Sequence, residues 1–87
     1  MSVATISPAV ESLLERFTAP LFAGERSASR AIVAEAFEEG LSAEEIIMQL
    51  IWPTMEKIQA LYRADRINTG VHHMASRLLR MLGRLLQ

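Results

Sequence analysis

Apolar residues recur at intervals of three and four along most of this chain, which is the period of helices that bury one face. No stretch alternates between apolar and polar residues as a strand does, and no Asn-Gly or Asp-Gly hairpin turn occurs. Capping residues, glycines and prolines divide the pattern into four segments. We therefore predict an all-α fold, a small antiparallel four-helix bundle that forms one domain over residues 1–87.

The first predicted helix runs from Pro8 to Phe22, with Ser7 as its cap and a bend or interruption before Pro20. The second runs from Glu25 to Glu39, and Gly40 is expected to end it in a left-handed conformation. The apolar positions of the second helix share one predicted buried stripe; these are Ala28, Ile32, Val33, Ala36 and Phe37.

A capping box predicts where the third helix begins, because Ser42 is followed three residues later by Glu45. We expect this helix to extend from Ala43 to Arg63. Pro53 lies inside it, and proline disfavours helical geometry at the residue before it. The third helix is therefore predicted to kink or restart near Trp52.

The last predicted helix is capped by Asn68 or Thr69 and continues to Leu86. Placing its residues at about 100° per step assigns one face to the core. The members of that face are Val71, Met74, Ala75, Leu78, Leu82 and Leu85. The same projection puts His73 on the exposed side beside arginines, and His72 at the flank of the apolar stripe, partly covered.

The composition indicates a soluble, cytoplasmic protein with surplus apolar surface. Apolar residues form 51% of the chain, which is high for a domain with so much surface, so part of them is expected at an interface. The absence of cysteine excludes a disulfide framework and a thiolate zinc site. We find no signal peptide and no apolar run near the roughly 18–20 residues that a membrane span needs.

Charge is distributed unevenly along the chain. Residues 1–56 carry three arginines against nine glutamates, a net −6, and residues 57–87 carry six lysines and arginines against one aspartate, a net +5. This asymmetry either steers an acidic partner to the second half or reflects two halves that pack against each other. Nucleic-acid binding is not predicted, because aromatic residues are not interleaved with the basic ones and the whole chain is slightly acidic.

The residues give little support to an enzyme that acts alone. No Ser-His-Asp or Cys-His set is available, and neither histidine has a carboxylate nearby in sequence to orient it. Adjacent histidines diverge on a helix, so His72 and His73 do not form a zinc site as a pair. From the residues alone, a half-buried structural role for His72 and a solvated one for His73 remain the simplest interpretations.

The segment EEGLSAEEIIMQLIWPTMEKIQALYRADRINTGVHHMAS, Glu38 to Ser76, resembles the helical cap of cobalamin-binding modules. That family includes corrinoid carriers of methyltransferases, the cobalamin fragment of methionine synthase and light-sensing cobalamin-dependent repressors. The resemblance rests on the EEGLS-type helix junction, the apolar-Pro-x-Met pattern of Ile51 to Met55, and the helix, loop and helix that follow. It extends from about Leu14 to Leu79.

The light-sensing branch is the most similar locally. Its members share a tryptophan, nine intervening residues, Glu-His and a small Ala-Ser step; here Tyr62 is followed after nine residues by His72-His73 and then by Ala75-Ser76. The resemblance implies cofactor-binding roles for Tyr62, His72, His73 and Ser76. In it Tyr62 shields the upper face of the corrin, and His73 serves as an upper cobalt ligand once the alkyl group is lost. Tyrosine replaces the family's tryptophan, and His72 replaces its glutamate.

The resemblance also implies a larger protein. In the family a Rossmann-like domain with an Asp-x-His-x-x-Gly motif follows the cap and binds the lower side of the cofactor; neither this motif nor a helix-turn-helix segment is present in these 87 residues. We therefore expect the N-terminal part of a longer chain that needs that second domain to bind adenosylcobalamin or methylcobalamin fully. It would work in a photoreceptor-like sensor or a corrinoid carrier, without catalysis of its own. Cobalt ligation by an imidazole should weaken below about pH 6.

Two alternatives remain at this stage. The chain could be a protein-interaction module that forms a homodimer through its surplus apolar face, since methionine-rich surfaces adapt readily to partners. It could also bind haem or a metal ion across a dimer through His72 or His73. Sedimentation and haemin titration distinguish these alternatives from the cobalamin cap.

Overall fold

The structure, a computed structural model, describes residues 8–87, and the described chain contains helices and no strand. Its elements are α1 (Pro8–Ala23), α2 (Arg26–Glu38), α3 (Ala43–Ile46), a π-helical segment (Ile47–Ile51), α4 (Trp52–Arg63) and α5 (Thr69–Leu85). Since α3, the π segment and α4 follow one another without a break, they form one rod. The predicted all-α bundle of four helices is confirmed. The predicted cap Ser7 lies outside the described residues.

Left-handed residues end the first two helices. Gly24 (φ 72°) follows α1 and Gly40 (φ 96°) follows α2, so the predicted stop at Gly40 is confirmed. After α1, the Gly24 and Glu25 amides donate to the carbonyls of Leu21 and Pro20. The predicted interruption before Pro20 is wrong: α1 continues through it to its end three residues later, where loss of a single donor breaks no long run of helix.

The end of α4 uses the same motif with a less suitable residue. Asp65 has φ 59°, its amide donates to the Tyr62 carbonyl at 3.0 Å, and the Arg66 amide donates to the Leu61 carbonyl at 2.8 Å. A left-handed residue with a side chain carries a cost that glycine avoids, although aspartate tolerates this region better than most. The turn between α4 and α5 is thus tightly hydrogen-bonded despite lacking glycine.

The two side-chain caps predicted within residues 8–87 both form. The Glu45 amide donates to the Ser42 hydroxyl at 3.1 Å, and the Ser42 amide donates to the Glu45 carboxylate at 2.8 Å, which completes the capping box. At the start of α5 the Val71 amide donates to the Asn68 side-chain oxygen at 2.8 Å. These caps satisfy amides that have no partner within the first turn of a helix.

The predicted restart near Trp52 is confirmed, and its form is a π segment. The Trp52 amide donates to the carbonyl of Ile47, five residues earlier instead of four. Pro53 cannot donate, and in a regular α-helix its ring would collide with the carbonyl of Gln49. The wider turn relieves that collision, so the helical rod continues where a break would otherwise be expected.

One apolar core joins the four helices of the bundle, in which α3, the π segment and α4 count as one. The first helix, α1, packs against both α2 and α5, and α4 packs against α5. Fully or nearly fully buried are Leu13, Phe17, Leu21, Ile32, Val33, Ala36, Ile46, Leu50, Ile51, Ile58, Ala75, Leu78, Leu79 and Leu82. On α2 the predicted buried stripe is correct for its centre. It is wrong for Ala28, which is exposed, and for Phe37, which is 48% exposed, because α1 covers only part of the stripe and buries Ser29.

The buried face of α5 is rotated from its predicted position. Met74 is 38% exposed and Leu85 is 64% exposed, whereas Ser76 and Leu79 are buried. The prediction centred the face on apolar residues alone, but α5 lies between α1 and α4 and is covered from both flanks. Met74 packs instead over Gly24, where an added Cβ would lie 2.8 Å from its sulfur.

A bidentate ion pair joins α1 to α2 at the surface. Arg16 Nη1 and Nη2 donate to the two Glu35 carboxylate oxygens at 2.9 and 2.8 Å. This hydrogen bonding lowers the pKa of Glu35. Because the pKa is lowered in the folded state, the contribution of the pair is present at neutral pH and is lost as the pH falls through that lowered pKa. Both side chains are half-exposed, so the contribution is small.

Removal of the capping box should destabilise the bundle measurably. We expect Ser42→Ala to lower the free energy of unfolding by about 1 kcal/mol, since the Glu45 amide loses its side-chain acceptor. Ser27→Ala is the matched control, because Ser27 is an exposed residue inside α2 and caps nothing. Urea titrations followed by circular dichroism give both values. Equal values for the two variants would contradict the prediction.

Candidate functional site

Tyr62 and His72 form a stacked pair that joins the end of α4 to the start of α5. Their ring centroids are 4.2 Å apart and the ring planes are inclined by 23°. Both side chains are half-buried. The turn between the two helices is short, so residues ten apart in sequence meet at the surface. The result is a half-buried aromatic pair to which both helices contribute one ring.

Two polar contacts hold the stacked pair in place. The hydroxyls of Tyr62 and Thr69 are 3.2 Å apart and share a hydrogen bond. His72 Nε2 lies 3.4 Å from Gln59 Oε1, within reach of a long hydrogen bond that Nε2–H donates in one tautomer. Both rings are thus oriented by neighbours on the facing helix, with the polar contacts at the periphery of the stack.

The stacked pair continues an exposed strip along the rod that contains α4. We call this strip the outer stripe; it comprises Met48, Trp52, Met55, Gln59 and Tyr62, spaced at three and four residues. Met48 is 62% exposed and Trp52 is 58% exposed, which is unusual for large apolar side chains. The outer stripe and His72 together form a mostly apolar surface, and none of these six side chains is a carboxylate.

His73 faces a different side of α5. It is exposed, as predicted, and it lines an open groove of about 900 Å³ beside Arg77, Arg80 and Arg84, with Arg26 contributed by the start of α2. In the part of the chain that the structure describes, the imidazole of His73 has no hydrogen-bond or ion-pair partner. Either ring nitrogen that carries a lone pair is therefore open to an external ligand.

Thr69 lies where these two surfaces meet. Its hydroxyl contacts Tyr62, and the same residue lines the groove that contains His73. Tyr62 does not line that groove. A ligand that contacts both Tyr62 and His73 must therefore extend over the first turn of α5.

Ser76 is placed below the surface. It is only 4% exposed, one turn after His72, and its hydroxyl has no hydrogen-bond partner. A buried hydroxyl without a partner carries a cost, and a small polar side chain at this position lets α5 approach α4 closely. The four residues to which the sequence analysis gives cofactor-binding roles therefore lie in three environments. Tyr62 and His72 form the stacked pair, His73 lines the groove, and Ser76 lies in the helix interface.

The donor set fits a metal that already carries a macrocycle. Between residues 8 and 87 no three His, Cys, Asp or Glu side chains converge to hold a free ion. A free divalent ion requires three or four protein ligands, whereas cobalt bound in a corrin would already have four nitrogen ligands, so that a single imidazole of the protein would be enough. His73, which is exposed and unpartnered among the described residues, satisfies that requirement.

Fold and site together define a small helical module with a stacked aromatic pair at its surface and one free imidazole nearby. The model of the family described as B12 binding domain matches residues 13–86, and the chain belongs to this family, the helical cap of cobalamin-binding modules. Comparison with curated proteins gave no match. Comparison with solved structures also gave none. In the described range no helix has the length and apolar character needed to cross a membrane.

Sequence reasoning did not identify Gln59, Thr69 or Arg26 as neighbours of the site. Gln59 lies one turn before Tyr62 on the same face of α4, so helical spacing could have identified it. Thr69 was considered only as a cap. Arg26 has no signal in the sequence, since only the packing of the α1–α2 turn against α5 brings it to the groove.

The stacked pair predicts different stability effects for the two histidines. We expect His72→Ala to lower the free energy of unfolding by about 0.5–1.5 kcal/mol, because an aromatic contact between two helices is lost. His73→Ala is the neighbouring control and should change it by less than about 0.5 kcal/mol, since that ring is exposed. Urea unfolding of both variants tests the difference. An equal loss in the two would show that the stack does not stabilise the bundle.

Proposed function

We propose that this chain is a cobalamin-binding cap that covers the upper face of the corrin, in a B12-dependent sensor or a corrinoid carrier. Membership of the family supports cobalamin as the ligand. The observation that carries the proposal in this chain is the aromatic surface formed by Tyr62 and His72, continued by the apolar side chains of the outer stripe. A planar, largely apolar ring is the kind of ligand that such a surface covers well.

Within this proposal Tyr62 and the outer stripe exclude water from the upper face of the ring. Thr69 holds Tyr62 in orientation and Gln59 holds His72 in orientation, each through one polar contact. The bound cofactor supplies cobalt–carbon chemistry, and the cap itself contributes no catalytic group. A Rossmann-like domain, which binds the lower side in the family, is the proposed partner, and adenosylcobalamin or methylcobalamin is the proposed form of the cofactor.

His73 is the proposed upper ligand of the cobalt. Its ring is exposed and unpartnered among the described residues, whereas His72 is stacked and in contact with Gln59. Ligation requires a lone pair on the coordinating nitrogen, so the proton must reside on the other nitrogen. His73 and Tyr62 lie on adjacent surfaces that meet at Thr69, so a cofactor held by both residues would also be in contact with Thr69.

Titration with aquocobalamin, whose upper ligand is an exchangeable water, tests these roles. We expect the wild-type chain to shift the visible absorption spectrum as an imidazole replaces the water. His73→Ala should abolish the shift or weaken it at least tenfold, the usual scale for loss of an important metal-site group. Tyr62→Ala should retain the shift with an affinity lowered about three- to tenfold, since one aromatic contact is lost.

His72→Ala is the comparison variant: it removes the adjacent imidazole from the aromatic pair and leaves His73 in place, so it should lower the affinity and retain the shift. A shift that persists in His73→Ala and disappears in His72→Ala would transfer the ligand role to His72. The absence of any shift or binding by the wild-type chain, alone and joined to a Rossmann-like cobalamin domain, would refute the cap function.

A dimerisation module is the second proposed function, and one feature favours it. An apolar cleft of about 190 Å³ lies between α2 and the end of α5, with Phe37 and Leu85 both largely exposed at its edge. Sedimentation velocity should then show a dimer that Phe37→Ser and Leu85→Ser convert to monomer. A monomeric wild-type chain at all concentrations would exclude this alternative.

A further inference from the structure

The groove beside α5 is lined by cations and by no carboxylate. Its charged members are Arg26, Arg77, Arg80 and Arg84, and the groove encloses about 900 Å³. The three arginines on α5 are spaced by three and four residues, so they lie on one face of the helix. Arg26 lies across from them on a different element, so two helices contribute charge to the same space.

Among the described residues these four arginines form no ion pair, since the pair found there is Arg16–Glu35. Contacts between an acidic half and a basic half therefore do not account for the charge of this groove. Arginines placed three and four residues apart also repel one another, which disfavours the free helix. A bound anion would remove that repulsion.

We propose that this groove binds a small anion that carries several negative charges on phosphate groups. The planar guanidinium donates two parallel hydrogen bonds to a phosphate, and four guanidinium groups around one concave space suit more than one phosphate. The Thr69–Gly70 start of α5, which also lines the groove, adds positive potential of the same sign. Nucleic acid suits the molecule less well, because residues 1–56 carry a net −6 and would repel a long polyanion.

The anion site also bears on the cofactor, a step that rests on the proposed function. His73 lines the same groove as the four arginines. An anion seated there lies against the imidazole and restricts access to it. The anion and the cobalt therefore compete for the space around His73, and a cellular phosphate compound could oppose ligation by the cap.

Calorimetric titration of the chain with inorganic tripolyphosphate, at low salt, tests the site without any cobalamin. We expect saturable binding that Arg77→Gln combined with Arg84→Gln weakens about tenfold or more, since two charge-assisted contacts are lost. Arg63→Gln combined with Arg66→Gln is the matched control: these arginines are exposed, carry the same charge and do not line the groove. The control should weaken binding by less than about twofold. Circular dichroism verifies that both variants are folded.

Three results would overturn the anion site: no binding of tripolyphosphate, equal weakening by both double variants, or binding of a polyglutamate peptide or a DNA duplex where tripolyphosphate fails.

Coupling between the anion and the cofactor is measured separately, as the change in apparent aquocobalamin affinity when tripolyphosphate is added. We expect the affinity to fall in wild type and to be unchanged in the Arg77/Arg84 variant. If the chain binds tripolyphosphate but no cobalamin, the proposed cap function fails while the anion site stands.

Discussion

Much of the observed surface depends on one covalent constraint, Pro53 inside the rod formed by α3, the π segment and α4. Pro53 lacks an N–H, and its ring excludes the carbonyl four residues earlier from a regular turn. The chain responds with a π segment that ends at Ile51. Such a turn holds one more residue than a regular one, so every later side chain is rotated around the rod by about 100°. After this rotation Ile58 lies in the core and Trp52 lies outside it.

The position of Tyr62 follows from the same rotation. Eleven residues after the π segment ends, Tyr62 lies on the flank of α4 that faces α5 and meets His72 there. The left-handed Asp65 and the Asn68 cap complete the turn between the two helices within a few residues. A longer or looser turn would leave the two rings free to separate. The aromatic surface is therefore a property of the turn as much as of the rings.

Local chemistry made the helices and their ends predictable from the sequence. The Ser42 capping box, the Gly40 stop and the Asn68 cap each depend on residues close in sequence, and all three form. Burial was less predictable because it depends on which neighbours surround each helix. Leu85 belongs to an apolar stripe, yet at the last turn of α5 little packs against it and it stays exposed.

The candidate site was likewise predictable where it depends on helical spacing and unpredictable where it depends on tertiary packing. Spacing on a helix was sufficient to place His73 outside and His72 at the flank, since both follow from the period alone. The resemblance selected Tyr62, but its contact with His72 depends on a turn that no periodicity specifies. The groove required the α1–α2 turn, with the start of α2, to converge with α5, and such convergence is a tertiary property. The sequence indicated an excess of positive charge in the second half without indicating that the charge surrounds a histidine.

The exposed tryptophan of the outer stripe has a practical consequence. Trp52 is the single tryptophan of the chain and is 58% exposed, so its fluorescence arises from one location that is in contact with water. A corrin or a second domain that covers this side of α4 would remove that water and shift or quench the emission, whereas an anion in the arginine groove would not touch it. The protein thus carries an intrinsic optical probe that can distinguish occupation of one surface from occupation of the other.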